Sequence, residues 1–384
     1  MKRKIMVVVT ARASYSRFKT ALKAMRDHPD IELYLEVTAS ALLDRYGATD
    51  KFISKDGFDI NNCIYTVLEG ENHTSMAKTT GIGIIELSTI MDNTKPDMVV
   101  TIADRYETMA TAISAAYMGI PLVHIQGGEV TGNIDEKVRH SITKLADIHL
   151  VSNEDAAERV KKLGENKETI FITGCPSIDI AAEIANQGTE NFNIYDKYAG
   201  SGNSLDLSDG YIIAMQHPVT TETKDSGGQV LETLHAVHDI GLPILWFWPN
   251  VDAGSDWTSK AIRTFREEVE PNNIQFFKNI DGADFLKLLN NSICIIGNSS
   301  VAIREASYLG VPAVNIGTRQ NGRLRGNNVI DVDYDRKDII QAIRKIIEGN
   351  QVSSSRIYGN GNAGKKVAEI LATVNLTIDK KITY

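Results

Sequence analysis

The sequence has little cysteine and no excess of positive charge, and each of these features excludes a class of protein. Its 384 residues include three cysteines, Cys63, Cys175 and Cys294, which are far apart and form no CxxC pair. Neither a disulfide framework nor a cysteine zinc site is indicated, and we expect a protein of the reducing cytoplasm. The formal net charge of −8 offers no basic field to a nucleic acid or an anionic membrane.

Long apolar runs are also missing. No segment approaches the roughly 20 apolar residues that a membrane-spanning helix needs. The start, MKRKIMVVVTARAS, is basic and then apolar like a signal peptide, but Arg12 follows soon after an apolar run of only five residues. We therefore interpret IMVVV as a buried first strand, and we expect neither membrane nor nucleic acid as a partner.

Short apolar runs alternate with amphipathic stretches through the first half of the chain. Runs such as IMVVV, DMVVTI and IPLVHI lack a period of two, which is typical of strands buried on both faces of a parallel sheet. The stretches between them predict helices at 14–27, 39–46, 75–93, 104–118, 135–146, 153–163 and 176–186. Seven such units predict a doubly wound α/β domain over residues 1–186.

A second domain follows a polar segment, 187–210, that is rich in Gly, Asn, Ser and Asp. The alternation then resumes, with helices predicted at 226–239, 256–269, 281–290, 299–309 and 336–348. We therefore predict a second α/β domain over residues 187–363, as expected for a chain too long for one core. Ligands of such sheets bind beyond the carboxyl ends of the strands, so we expect a cleft there between the domains.

Polar side chains follow two strands of the first domain. Arg12 and Ser16 come after the first strand, where a guanidinium and helix N–H groups suit an anion, although Ser14 could simply cap the helix. Asp104 and Arg105 come after DMVVTI. Helix capping explains an acid there as well as catalysis does, whereas a cation in a first turn opposes the helix dipole and needs a partner such as a phosphate.

The loop HIQGGEVTGNIDEKVRH carries two further acids, Glu129 and Asp135, among Gly127, Gly128 and Gly132. The glycines would let the backbone approach a ligand closely. Two carboxylates in a cleft can take different pKa values and serve as base and acid. Asp135 could instead be the N-cap of the next helix, an explanation that fits Glu129 less well because it lies in mid-loop.

The second domain offers a candidate nucleotide site in IIGNSSVAIREA, which we interpret as strand, turn and helix. Ser299 and Ser300 lie at the helix start, where hydroxyls and free N–H groups suit a diphosphate. Glu305, one to two turns into the helix, could accept ribose hydroxyls. A serine N-cap with a solvated glutamate would explain the same residues. The nucleotide site is favoured by other polar residues that follow apolar strands, namely His217, Asn250 and Arg319.

Together these motifs resemble a known family. TARASYS, ADRYE, GGEVTGNIDEKVRHSITKLA, GCPSID, QHPVTT, PNVDAGS, IGNSS and GTRQNGR, in this order, span nearly the whole chain. They resemble the hydrolysing UDP-N-acetylglucosamine 2-epimerases of sialic-acid pathways, which release UDP and N-acetylmannosamine. The resemblance implies a GT-B fold of two Rossmann-like domains, with UDP on the second and the sugar facing the first. A last helix, near 364–376, would return to the first domain, to which residues 364–384 would belong.

The resemblance also implies residue roles. The positions that contact the UDP-sugar correspond to Arg12, Ser16, Arg105, His217, Asn250, Ser299, Ser300, Glu305 and Arg319. The acidic catalytic positions correspond to Asp104, Glu129 and Asp135. In the implied reaction a base takes the C2 proton as UDP leaves C1; water then adds at C1 and a proton returns to the other face of C2. We expect no cofactor, no metal, and a homodimer or homotetramer.

The chain departs from the family pattern at Ser14, Ala41, Ile102, Ala103 and Gln126. Many relatives have Glu where Gln126 stands, and an amide cannot act as a base. One alternative is another epimerase: a hydrolysing enzyme for a UDP-2,4-diacetamido-trideoxyhexose of the legionaminic-acid type, or a non-hydrolysing one. Others are a GT-B glycosyltransferase, in which acids at C2 would have no task, and a nucleotide-sugar-binding regulator without turnover.

Overall fold

The computed structural model divides the chain into two compact units. The residues it describes are 2–44, 47–69, 73–130, 135–187, 192–219, 221–249, 255–278, 280–349 and 352–383. Unit 1 comprises Met1–Glu129, Ile134–Asp179 and Gly359–Tyr384. Unit 2 comprises Val130–Asn133 and Ile180–Tyr358. The sequence predicts that the first domain ends at 186 and the second at 363, whereas unit 2 takes over after Asp179 and ends at Tyr358.

Unit 1 contains a seven-stranded parallel sheet in the order β3-β2-β1-β4-β5-β6-β7. Its strands are β1 (Arg3–Val9), β2 (Ile31–Thr38), β3 (Asn62–Ile64), β4 (Met98–Ile102), β5 (Leu122–Ile125), β6 (Ile148–Val151) and β7 (Ile170–Ile172). Along β1, Ile5 and Val7 belong to one hydrophobic core and Met6 and Val8 to another, so the strand is buried on both faces. This double burial explains why the apolar runs do not alternate.

The helices of unit 1 cover both faces of this sheet. They are α1 (Arg12–Arg26), α2 (Thr49–Lys55), α3 (His73–Thr94), α4 (Thr108–Tyr117), α5 (Asp135–Leu145), α6 (Glu154–Lys162) and α7 (Ser177–Gln187), whose last residues belong to unit 2. No helix among the described residues is both long and apolar enough to cross a membrane.

Unit 2 repeats the same topology with six parallel strands in the order β10-β9-β8-β11-β12-β13. The strands are β8 (Ile212–Met215), β9 (Ile244–Phe247), β10 (Ile274–Phe277), β11 (Cys294–Gly297), β12 (Ala313–Ile316) and β13 (Val329–Val332). The helices are α8 (Ser226–Ile240), α9 (Ser255–Val269), α10 (Gly282–Asn290), α11 (Glu305–Leu309) and α12 (Arg336–Ile347). The predicted doubly wound α/β architecture is thus confirmed in both units.

The C-terminal segment packs in unit 1. Helix α13 (Ala363–Thr373) contributes Val367 and Leu371 to the core beside α1. The carboxylate of Asp179 accepts the first backbone N–H groups of α13, at 2.8 and 2.7 Å, and so satisfies donors that the helix cannot pair itself. Further on, a buried carboxylate, Glu165, accepts hydrogen bonds from three basic side chains, Lys144, His149 and Lys380.

Three predicted helices were wrong in detail. Where a helix was predicted at 39–46, the described residues form a 3₁₀ turn, Ala39–Leu42, and α2, which was not predicted, follows later. The helix predicted at 104–118 begins only at Thr108, because Ala103 leaves β4 with a left-handed φ of 66° and a turn follows. The helix predicted at 299–309 is a 3₁₀ turn (Ser300–Ala302) followed by the short α11.

Candidate active site

Four neighbouring strands of unit 1 end at one edge of its sheet. Strand β1 pairs with β4, β4 with β5, and β5 with β6, all in parallel. Their carboxyl ends therefore lie side by side, with Arg12 after β1, Asp104 after β4, Glu129 after β5 and Ser152 after β6.

The structure brings Asp104 and Glu129 together through Arg139 of α5. The Arg139 guanidinium donates to the Asp104 carboxylate and, at 2.9 Å, to the backbone carbonyl oxygen of Glu129. It also reaches Glu136 Oε2 at 2.9 Å. Arg139 is only 1% exposed, so these charge-assisted hydrogen bonds are shielded from water. The sequence analysis missed Arg139, although its position on the buried face of a predicted helix was a usable signal.

Glu129 is buried, and its carboxylate has a fixed hydrogen-bond donor. Ser152 Oγ lies 2.9 Å from Glu129 Oε1, and Glu129 is 5% exposed. Asp135 lies in the first turn of α5, one turn before Arg139. An acid in a first turn is favoured by the helix dipole. Glu129 and Asp135 thus both lie close to a contact of Arg139, which binds the backbone carbonyl of Glu129 and the side chain of Glu136, the residue after Asp135.

The turn that carries Asp104 is held from beneath by His124. Its Nε2 lies 2.9 Å from the carbonyl oxygen of Ala103, and its Nδ1 lies 3.1 Å from Thr143 Oγ1. Burial lowers the pKa of His124 to about 3, so the ring is neutral and donates its Nε2–H to that carbonyl. The left-handed Ala103 is therefore fixed directly before the acid.

The two described glycines of the loop serve packing within unit 1. Gly128 has a φ of 73°, and a Cβ there would lie 2.3 Å from the carbonyl oxygen of Ala156. A Cβ on Gly127 would lie 2.9 Å from His124 Nδ1. The predicted reason, close approach to a ligand, is not needed for either of them. Gly132 lies outside the described residues.

The cations near this edge have protein contacts of their own. Contrary to the prediction, Arg105 does not lie in the first turn of a helix, because α4 starts after it. The Arg105 guanidinium forms two hydrogen bonds to the carboxylate of the buried Glu107, at 3.1 and 3.0 Å. Arg12 begins α1 and stacks over the Phe52 ring at 4.8 Å. Ser16 is exposed on α1. The alternative of Ser14 as N-cap is wrong, because the N-cap residue of α1 is Ala11.

In unit 2, Asn298 joins three neighbouring strand ends. Its side-chain Oδ1 accepts the backbone N–H of His217 at 2.7 Å, and its Nδ2 donates to the carbonyl of His217 at 2.8 Å. Its own backbone carbonyl accepts Arg319 Nη1 at 3.2 Å and Gln320 Nε2 at 2.8 Å. The fully buried Asn298 therefore ties the ends of β8, β11 and β12 together. The sequence analysis missed it, although IIGNSS places it directly after a strand.

The predicted diphosphate residues lie in the following turn. Ser299 caps the 3₁₀ turn by accepting the N–H of Val301, and Ser300 is the first residue of that turn. Glu305 is the first residue of α11, not one to two turns into a helix as predicted. It is 6% exposed, and its Oε2 has no hydrogen-bond partner among the described residues. Such a buried acceptor suits a ligand hydroxyl. Asn250 lies outside the described residues.

A family model described as UDP-N-acetylglucosamine 2-epimerase matches residues 23–372. A UDP-N,N'-diacetylbacillosamine 2-epimerase (hydrolyzing) of Legionella pneumophila is 33% identical over 376 residues, which are 98% of this chain and 97% of that protein. A UDP-N-acetylglucosamine 2-epimerase of Neisseria meningitidis serogroup B is 31% identical over 375 residues, 98% of this chain and 95% of that protein.

The fold is also similar to that of solved structures. A crystal structure of UDP-GlcNAc 2-epimerase from Neisseria meningitidis, bound to UDP-GlcNAc, matches with a TM-score of 0.81 and 19% sequence identity. The match covers 96% of this chain and 99% of that one. It confirms the predicted fold class, the GT-B fold with two Rossmann-like domains.

Proposed function

The chain belongs to the UDP-N-acetylglucosamine 2-epimerase family, and from this premise we propose that it is a hydrolysing 2-epimerase. Its substrate would be UDP-N-acetylglucosamine, and its products UDP and N-acetylmannosamine. The observation that carries the proposal is the pair of acids, Asp104 and Glu129, held by Arg139 at the strand ends of unit 1. A glycosyltransferase that uses the same UDP site would need no such acids at C2.

The acids have a defined task in this reaction. A base removes the C2 proton while the C1–O bond breaks and its electrons leave with UDP, which gives a glycal-like intermediate. Water then adds at C1, and an acid returns a proton to the opposite face of C2. We assign these proton transfers jointly to Glu129 and Asp135. Asp104, whose carboxylate is fixed by a buried guanidinium, acts as a third participant or orients the sugar.

The leaving group needs positive charge and hydrogen-bond donors. We propose that unit 2 holds UDP through Ser299, Ser300, His217, Arg319 and, outside the described residues, Asn250. Oε2 of Glu305, which has no hydrogen-bond partner within the described part of the chain, would accept ribose hydroxyls. From unit 1, Arg12, Ser16 and Arg105 would complete the substrate contacts.

A second substrate is favoured by a specific observation. The Legionella relative, 33% identical, is named for UDP-N,N'-diacetylbacillosamine, a 2,4-diacetamido sugar. This chain also has an amide, Gln126, where many relatives have Glu, and a different sugar would accompany such a departure. Gln126 follows β5 with a φ of 64° and donates its amide N–H to Cys175 Sγ at 3.0 Å. Either product would serve synthesis of a nonulosonic acid such as sialic acid, or of a surface polysaccharide. The cytoplasmic location and the homodimer or homotetramer stay predictions.

One incubation tests the function. Purified protein with UDP-N-acetylglucosamine in deuterated water should yield free UDP and N-acetylmannosamine carrying deuterium at C2, as followed by NMR. UDP-N-acetylmannosamine would instead show a non-hydrolysing epimerase, and release of UDP only after an acceptor is added would show a transferase. Binding without any product would show a regulator. The same assay with the UDP-2,4-diacetamido sugar, compared by kcat/KM, decides between the substrates.

A further inference from the structure

We infer that Arg139 is a positioning residue that holds the acids Asp104 and Glu129 in place for proton transfer at the sugar. This inference rests on the proposed function. It assigns a role to a residue that neither the strand-end motifs nor the named acids include.

The Arg139 guanidinium contacts the segments of both acids. A guanidinium is planar, with five N–H donors in a fixed fork. In Arg139, Nη2 faces the Asp104 carboxylate, while Nη1 donates to the carbonyl oxygen of Glu129 and to Glu136 Oε2, each at 2.9 Å. One rigid group therefore fixes two acidic segments relative to each other. A lysine ammonium at the same place has no such fork.

Burial separates this role from substrate binding. The Arg139 side chain is 1% exposed, whereas those of Asp104 and Glu136 are 18% and 28% exposed. The carboxylates of Asp104 and Glu136 are thus more exposed than the guanidinium that binds them. The Asp104 carboxylate is therefore more accessible to a substrate than the guanidinium is.

Helix α5 holds Asp104 a second time through the backbone. The carbonyl oxygen of Arg139 accepts Thr143 Oγ1 at 3.1 Å, and the same Thr143 hydroxyl contacts His124. His124 donates to the carbonyl of Ala103, next to Asp104. Two contacts from one face of α5 thus converge on this acid, so removing Arg139 leaves the backbone support and releases the carboxylate.

The test compares Arg139→Met and Arg139→Lys with a matched control, Arg159→Met. Arg159 of α6 donates to the Gly128 carbonyl of the same loop at 3.2 Å and pairs with Asp155 at 2.6 Å. In Arg139→Met, kcat should fall on the order of 100-fold, the cost of misplaced catalytic groups, with a KM change below about threefold. Arg139→Lys should recover only part of this loss, and Arg159→Met should stay close to wild type.

Three results would overturn the inference. One is a kcat of Arg139→Met close to that of wild type. Another is a raised KM at unchanged kcat, which would make Arg139 a substrate-binding residue. The third is full activity of Arg139→Lys, which would show that charge alone suffices. If Arg139→Met does not fold, as judged by circular dichroism and melting temperature, the lysine variant decides by the same split of kcat and KM.

Failure of the proposed function is read separately. If wild-type protein releases no UDP from either sugar nucleotide, the proposed function is wrong, and hydrogen exchange then tests the positioning. Amides of residues 103–108 and 126–130 should exchange faster in Arg139→Met than in wild type, while those of β2 should not change. If both segments exchange at the same rate in Arg139→Met as in wild type, the positioning role is refuted without reference to turnover.

Discussion

Replacing Asn298 by alanine should loosen the edge of unit 2 that we propose binds the nucleotide. The Asn298 amide forms two reciprocal hydrogen bonds, at 2.7 and 2.8 Å, with the backbone of His217. The residue is 0% exposed, so water cannot easily replace the amide. Alanine would leave one buried N–H and one buried carbonyl without their partner.

The magnitude follows from these two bonds. An unsatisfied buried backbone group costs about 1–3 kcal/mol, so the pair should lower the free energy of unfolding by about 2–6 kcal/mol. For a unit of this size that corresponds to a fall in melting temperature of roughly 4–24 °C. Asn298→Asp keeps an acceptor for the N–H of His217 but turns a carboxylate oxygen towards its carbonyl, and should be at least as damaging.

Calorimetry measures both the stability and the affinity for UDP. Because Asn298 also accepts Arg319 and Gln320 on its backbone carbonyl, the loosened edge should weaken UDP binding by about tenfold, or about 1.4 kcal/mol. The control is Asn327→Ala, which removes an exposed hydrogen bond to Ser353 Oγ and should change stability by less than about 0.5 kcal/mol. If Asn298→Ala matches this control in melting temperature and in UDP affinity, the reasoning is refuted.

Three further outcomes are expected. Glu129→Gln and Asp135→Asn should each lower turnover by orders of magnitude while UDP still binds; near-normal turnover in both would contradict their acid/base role. Gly128→Ala should lower the melting temperature, because its φ is left-handed and an added Cβ would lie only 2.3 Å from the carbonyl oxygen of Ala156. Burial alone would raise the pKa of Glu165, but hydrogen bonds from three basic neighbours lower this pKa to about 2. The stability this carboxylate contributes is thus present above about pH 4.5 and lost as the pH falls towards 2; denaturation across this window should show a flatter pH dependence in Glu165→Gln, and equal slopes would contradict the ion-pair cluster.

The fold could be predicted because burial leaves a direct mark on the sequence. Strands covered on both faces are apolar at consecutive positions, as along Ile5–Val9 of β1 and Met98–Val100 of β4, and the helices between them carry the remaining pattern. The turns after the strands could not be predicted in the same way. Ala103 and Gln126 both take a left-handed φ, 66° and 64°, which neither residue type favours, and for Ala103 a tertiary contact, the hydrogen bond from His124, accompanies it. Helix starts that depend on such turns, like that of α4, are therefore misplaced.

The residues of the candidate site also differ in how far the sequence could predict them. Several residues that follow strands, such as Asp104, were predicted because parallel strands bring their carboxyl ends to one edge, although Asn298 and Ser152 also follow strands and were missed. Arg139 reaches that edge from the middle of a helix, so strand ends could not reveal it. Its spacing could have done so, since Arg139, Ile142, Thr143 and Ala146 lie three and four residues apart and are all buried. A charge on such a face requires buried partners, but only the sheet order, which brings β4 and β5 together, shows that those partners belong to the Asp104 turn and the Glu129 loop.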